Sequence, residues 1–191
     1  MTALLHFLPI IAVALLWLER MREVATKRDT VSGQRRERLT LFLFVACGVI
    51  MFAGGIAEYL VRGPEPNWVR VAAGFAITVA AFAIRRRSIA ALGKFWSLHV
   101  EMREGHEFVQ SGPFRWMRHP VYFSMILELA GPAIILGAWR TLALVAVIFL
   151  PTLWWRLHLE EAALVQTFGP AYETYRRTTP MLIPYLRPRR P

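Results

Sequence analysis

Two clusters of ionisable residues in this sequence have the composition of a reaction site. The first is GPFRWMRHPVYF, residues 112–123, where Arg118, His119 and Tyr122 surround Pro120. His119 precedes a proline and is biased out of the helical region. Pro120 suits the first position of a helix. The motif predicts a helix beginning at His119–Pro120, with free N–H groups and a partial positive charge that can receive a carboxylate or phosphate. A plainer reading makes Arg118 a membrane-edge anchor and Tyr122 an interfacial aromatic. The second cluster is RLHLEEAALVQTFGPAYETY, residues 156–175. Arg156 and Glu160 share a helix face, in the weaker order for a direct ion pair, which favours separate roles. Leu164 and Phe168 read as packing residues, Gly169–Pro170 ends the helix, and Tyr172 and Tyr175 are expected to pack or to sit at the lipid surface. Glu128 is a third candidate, because a carboxyl within an apolar run is costly and functional by default. Its alternative is a neutral, hydrogen-bonded residue packed between spans. Glu58 is expected to be solvated near the outer surface, and His6 and His158 to be interfacial.

These residues need elements to hold them. The chain has 191 residues, 55% of them apolar, and a mean hydropathy of +0.38. The apolar residues cluster into runs, which predicts about five membrane-spanning helices near residues 1–18, 39–61, 69–84, 121–136 and 141–157. Pro9 is expected to kink the first, and Gly131–Pro132 to break the fourth. The first run lacks the basic flank of a signal peptide. The turn Gly137-Ala138-Trp139-Arg140 makes spans four and five a helical hairpin. The fold class is all-α and integral to the membrane, a single domain over residues 1–191.

The formal charge of +10 follows topology. Arginine-rich and arginine-poor loops alternate along the chain, which puts the N-terminus outside and the C-terminus inside. The basic excess then needs no nucleic-acid partner, since no charge run carries interleaved aromatics away from the membrane edges. A lone cysteine, Cys47, gives neither a disulfide framework nor a metal pattern. The polar parts, about residues 92–120 and 158–184, gather on one cytosolic face.

The stretch LGKFWSLHVEMREGHEFVQSGPFRWMRHPVYF, followed by the hairpin and then by EEAALVQTFGPAYETYRRTTPMLIP, resembles the isoprenylcysteine carboxyl methyltransferase family of integral membrane enzymes. The likeness covers about the last hundred residues; the first three spans match in hydropathy only. It implies S-adenosylmethionine as methyl donor, held between the loop before span four and the helix after span five. The donor positions fall on His99, His106, Glu107, Phe108, Val109, Phe114, His119, Pro120, Val121, Tyr122 and Glu160, and the substrate-side arginine on Arg156. Phe114 stands where a tyrosine is common, and His99 where the eukaryotic enzymes have glutamine.

The donor's carboxylate suits the helix start beside His119, its ammonium suits Glu160, and its adenine suits an apolar slot at Phe108 and Val109. The implied acceptor is a lipidic or prenylated molecule at the bilayer interface. A carboxylate acceptor is already ionised at neutral pH, so positioning and exclusion of water carry the reaction, with Arg156 orienting the acceptor. A phospholipid amine or a phenolic lipid would need a base, for which Glu128 or His99 stands as candidate. The other readings are a nicotinamide-dependent membrane reductase of the sterol type, where Val121 and YFS depart from the expected pattern, and a non-enzymatic scaffold.

Overall fold

The computed structural model describes residues 5–26, 39–96 and 109–184. Among these every regular element is helical: α1 (Leu8–Ala25), α2 (Leu39–Arg62), α3 (Trp68–Leu92), α4 (Pro120–Leu136), α5 (Trp139–Phe168) and α6 (Pro170–Thr178), with short 3₁₀ turns at Gly93–Phe95 and Gly112–Arg115. Three helices are long and apolar enough to cross a membrane: Leu39–Arg62, Trp68–Phe95 and Trp139–Phe168. Helix α4 is equally apolar but shorter, at 17 residues. Helix α1 carries Glu19, Arg20, Arg22 and Glu23 in its second half.

One helix runs well past its expected end, for an electrostatic reason. Helix α3 continues through Arg85-Arg86-Arg87, where the charges read as a boundary. The acids of α1 meet them there: Arg85 Nε donates to Glu23 Oε1 at 2.9 Å, and Arg86 pairs with Glu19. At 30 residues helix α5 is about 45 Å long, longer than the roughly 30 Å hydrocarbon layer, so its last turns stand clear of the bilayer.

Pro9 lies in the first turn of α1, just after a turn at His6–Phe7. Pro132, against expectation, lies inside a continuous α4. That turn is held by the crossing with α3, where a Cβ on Gly131 would lie 2.0 Å from Thr78 Oγ1, and one on Gly74 2.5 Å from the Gly131 carbonyl oxygen. Only glycine at both positions lets the two backbones approach so closely.

The hairpin forms as expected. Gly137, at φ +62°, turns the chain between α4 and α5. Both ends of the turn are capped from α2. Arg62 donates to the Gly137 carbonyl at 2.6 Å and the Leu136 carbonyl at 2.8 Å, satisfying the end of α4. Glu58 accepts from Thr141 N and Thr141 Oγ1, both at 2.8 Å, at the start of α5. Glu58 is therefore a helix cap supplied by a neighbour rather than a merely solvated acid.

The core lies between α2, α4 and α5. Cys47, Leu136, Ala138 and Val145 are fully buried there, and the Phe44 and Phe149 rings meet at 5.2 Å. The outward faces are apolar as well, with Phe42 67% and Val147 73% exposed. A helix bundle hydrophobic both inside and out suits lipid surroundings.

Candidate active site

The 3₁₀ turn at Gly112–Arg115 delivers the chain to His119, which is the N-cap of α4 with Pro120 behind it. The segment is pinned by its backbone: Arg118 N donates to the Pro180 carbonyl at 2.9 Å and His119 N to the Met181 carbonyl at 3.0 Å. The tail beyond α6 thus lies alongside the motif. His119 is 3% exposed, and its side chain does not cap its own helix. It turns towards α5, where Nε2 is 2.8 Å from Glu161 Oε1 and Nδ1 is 3.6 Å from Glu160 Oε1.

Tyr122, one turn further along α4, connects the two predicted partners on α5. Its hydroxyl donates to Glu160 Oε2 at 2.6 Å and accepts from Arg156 Nε at 3.1 Å. Arg156, 3% exposed, also donates to Thr40 Oγ1 of α2 at 2.7 Å. Glu160 and Arg156 thus share a face without needing to pair directly, and Tyr122 mediates between them.

Sequence reasoning missed the acid at the centre of this network. Glu161 Oε1 accepts from Arg118 Nε at 2.9 Å and from Tyr172 OH at 2.6 Å, besides meeting His119; its Oε2 lies 3.5 Å from Arg176 Nε. Arg118 also donates to the carbonyls of Arg176 and Thr179. It is a bracket between α4, α5 and the tail, not a simple anchor. Tyr172 and Tyr175 are buried, and Tyr175 OH donates to the Phe114 carbonyl. The signal was present, since both Glu161 and Tyr172 belong to the EExxLxxxFGxxY pattern.

Burial alone would lower the His119 pKa, but the hydrogen bonds and charges of Glu160 and Glu161 outweigh it, and the ring titrates above its ordinary value. Burial, reinforced by the bond to Glu161, raises Tyr172 far above the usual phenol range; burial does the same for Tyr175. Both phenols are neutral donors at any physiological pH.

These groups form one wall of a cavity of about 490 Å³, within the range of small-molecule sites. His119, Pro120, Val121, Tyr122, Arg156 and Glu160 line it, as do Val109 and Phe114. Leu164, Phe168, Tyr172 and Tyr175 add apolar and aromatic surface from α5 and α6. The cavity also reaches Val45, Gly48 and Val49. Those valines are about half exposed and nothing lies within 4 Å of a Cβ built on Gly48, so it extends to the lipid-facing side of α2. His99, His106, Glu107 and Phe108 lie outside the described residues. His158, by contrast, packs at a tilt against Trp154 and bonds its carbonyl, on the exposed side of α5.

Glu128 lines the same cavity but in other company. It lies 3.0 Å from Arg20 Nε and 3.7 Å from Arg85 Nη1, and accepts from Ser124 Oγ at 3.3 Å. Two arginines hold it, so it is not the isolated carboxyl that a lone acid in an apolar run suggests. No group of residues suited to a metal ion occurs among the described residues.

A family model described as the isoprenylcysteine carboxyl methyltransferase family matches residues 73–166. The uncharacterized protein YpbQ of Bacillus subtilis is 26% identical over 160 residues, covering 80% of this chain and 94% of YpbQ. The protein-S-isoprenylcysteine O-methyltransferase of Schizosaccharomyces pombe is 32% identical over 81 residues, 42% of this chain and 34% of that protein. The cobalt-zinc-cadmium resistance protein CzcN of Cupriavidus metallidurans is 30% identical over 103 residues, 52% of this chain and 46% of CzcN. The matched half runs from α3 through α5 and contains His119, Tyr122, Arg156, Glu160 and Glu161. Over that segment, the chain is similar to the isoprenylcysteine carboxyl methyltransferase family.

Proposed function

We propose that this protein is an S-adenosylmethionine-dependent methyltransferase of the membrane, acting on a lipidic or prenylated acceptor whose carboxylate receives the methyl group. The observation that carries the reading is the bonded series Arg156–Tyr122–Glu160, with His119 3.6 Å from Glu160, set in the wall of a cavity that also reaches lipid. Such a cavity can receive a water-soluble donor and an amphiphile together.

The residues present fit the donor. Glu160 remains 29% exposed in its side chain and keeps lone pairs for an ammonium. Phe114, Leu164 and Phe168 offer the apolar slot, and the start of α4 beside His119 suits a carboxylate. When bound, S-adenosylmethionine supplies a methyl group made electrophilic by its sulfonium. The chain's own work is orientation. Tyr122 and Thr40 fix the Arg156 guanidinium, and a guanidinium held in one orientation can align a carboxylate. A carboxylate nucleophile needs no base, and Glu128, held by two arginines, acts as a counter-ion. The buried wall excludes competing water.

In this reading α1 and α4 cross the bilayer with α2, α3 and α5, as one membrane domain. The N-terminus lies outside, and the C-terminus and the site lie on the cytosolic side, where the arginine-rich segments gather.

The test is calorimetric titration of S-adenosylmethionine into the detergent-purified protein, with His119→Ala and Glu160→Ala alongside. Binding in the wild type and its loss in both variants is the expected result. A folded wild type that does not bind the donor overturns the proposal.

A further inference from the structure

The far wall of the cavity holds a polar cluster that donor binding does not use. Arg20 of α1, Arg85 of α3 and Glu128 of α4 line it, and Glu23 stands behind them without reaching the cavity. Glu23 lies 2.9 Å from Arg85 Nε and 3.7 Å from Arg20 Nη1, so the cluster holds two cations and two anions, of which Glu128 is the acid that lines the cavity. Arg85 is 2% exposed, with its guanidinium over Trp96 at 5.7 Å, yet among the described residues its Nη1 has no hydrogen-bond partner, and neither does Nη1 of Arg20. Glu128 approaches Arg85 Nη1 only to 3.7 Å, beyond hydrogen-bond range.

A buried guanidinium N–H without an acceptor is costly, and a charge placed this deep usually marks a ligand. Two such donors on one cavity wall match a carboxylate or a phosphate, both of which accept from paired guanidinium N–H groups. Glu128 lies six residues beyond Tyr122, roughly 9 Å along α4, so this cluster is separate from the group proposed to bind the donor.

We propose that Arg20 and Arg85 form a second subsite that binds an anionic group, carboxylate or phosphate, on the lipidic acceptor, apart from the atom that is methylated. The inference rests on the cavity being the acceptor site. It makes the acceptor an amphiphile with a fixed negative charge near its reactive end. Glu128 holds the two arginines in place and sets a threshold, because a neutral head group gains nothing there and an anion must compete with the carboxylate.

The test uses simple probes. Octyl phosphate, octanoate and octanol are titrated into the full-length protein in one nonionic detergent, read by intrinsic fluorescence, to which Trp17 and Trp96 in the cavity wall contribute. The wild type is expected to favour at least one of the anions over octanol by about tenfold, the size of one charge-assisted hydrogen bond. Octanoate and octyl phosphate binding alike indicates a site for either anion; phosphate alone indicates a phosphorylated head group. Arg20→Gln and Arg85→Gln are expected to abolish the preference, and Glu128→Gln to increase it severalfold. The opposite sign of Glu128→Gln keeps the test decisive if Arg85→Gln does not fold. No preference in the wild type, or one unchanged in Arg20→Gln and Glu128→Gln, overturns the proposal. S-adenosylmethionine is titrated in the same preparations. Donor binding without anion preference removes this subsite only; anion preference without donor binding removes the methyltransferase reading only.

Discussion

Glu160 and Glu161 are neighbours in sequence with opposite duties. Glu161 sits beneath Arg118, His119 and Tyr172, and removing its charge leaves a buried arginine uncompensated. Glu161→Gln is expected to cost about 3 kcal/mol of stability, read as a lowered midpoint of thermal unfolding in detergent. Glu160 faces the cavity, and Glu160→Gln is expected to unfold near the wild-type temperature while weakening donor affinity by tenfold or more. Similar stability losses in the two variants would contradict this division. His119 adds a pH dependence. Its folded pKa lies above its ordinary value of about 6.5, so its bonds to the two glutamates contribute fully below that value. Their contribution is lost as pH rises through the elevated folded pKa. The melting temperature should therefore fall from pH 6.5 into the mildly alkaline range, and the fall should flatten in His119→Gln. The residues that gather at the cavity, Arg118, His119, Tyr122, Arg156 and Glu160, were legible because polar side chains at the edge of an apolar run have few reasons to be there. Glu161 was not, since nothing in EE tells which carboxylate turns inward; the answer depends on Arg118 arriving from the segment before α4.

At the scale of elements, the apolar runs announced most of the helices but not their limits. Charge was read as an end to α3, yet that helix continues because Arg85 and Arg86 meet Glu23 and Glu19 of α1, whereas Gly169 ends α5 as expected. Pairing across helices leaves no mark in either segment alone. The Gly131–Pro132 break was misjudged for a related reason, since Gly131 serves the contact with Gly74 and Thr78 and does not end the helix. That crossing gives a sharp prediction. Gly131→Ala places a methyl group 2.0 Å from Thr78 Oγ1 and 2.9 Å from the Gly74 carbonyl, and should destabilise the protein by about 1–3 kcal/mol. Adding Thr78→Ala relieves the first clash but not the second, so only partial recovery of the melting temperature is expected. Full recovery, or no loss in Gly131→Ala, would mean that the helices do not cross so closely.

For the whole molecule, the cavity links a polar end to a lipid-facing side, and the two can be separated by experiment. Gly48 lies where the wall between α1 and α2 is open. Gly48→Trp should fill the opening on the lipid side and reduce methyl transfer to a membrane-borne acceptor at least tenfold, with donor affinity unchanged by calorimetry. Weakened donor binding in that variant would show that the two ends are not independent. The placement of Arg156 beside Thr40 at the start of α2 has a similar reach, since it ties the part of the chain matched by the family to a helix outside that match.

Glu58 and Arg62 lie one turn apart on α2, and they cap the start of α5 and the end of α4. Their order in the chain matters for biogenesis. Helix α2 leaves the ribosome well before the hairpin does, and chains assemble from the N-terminus as they are made. The last two helices thus emerge into a bilayer where the groups that satisfy their exposed backbone are already in position. A hairpin inserted without α2 would present those carbonyl and amide groups with no partner at the membrane edge, so α2 acts as an internal template for the helices that complete the bundle.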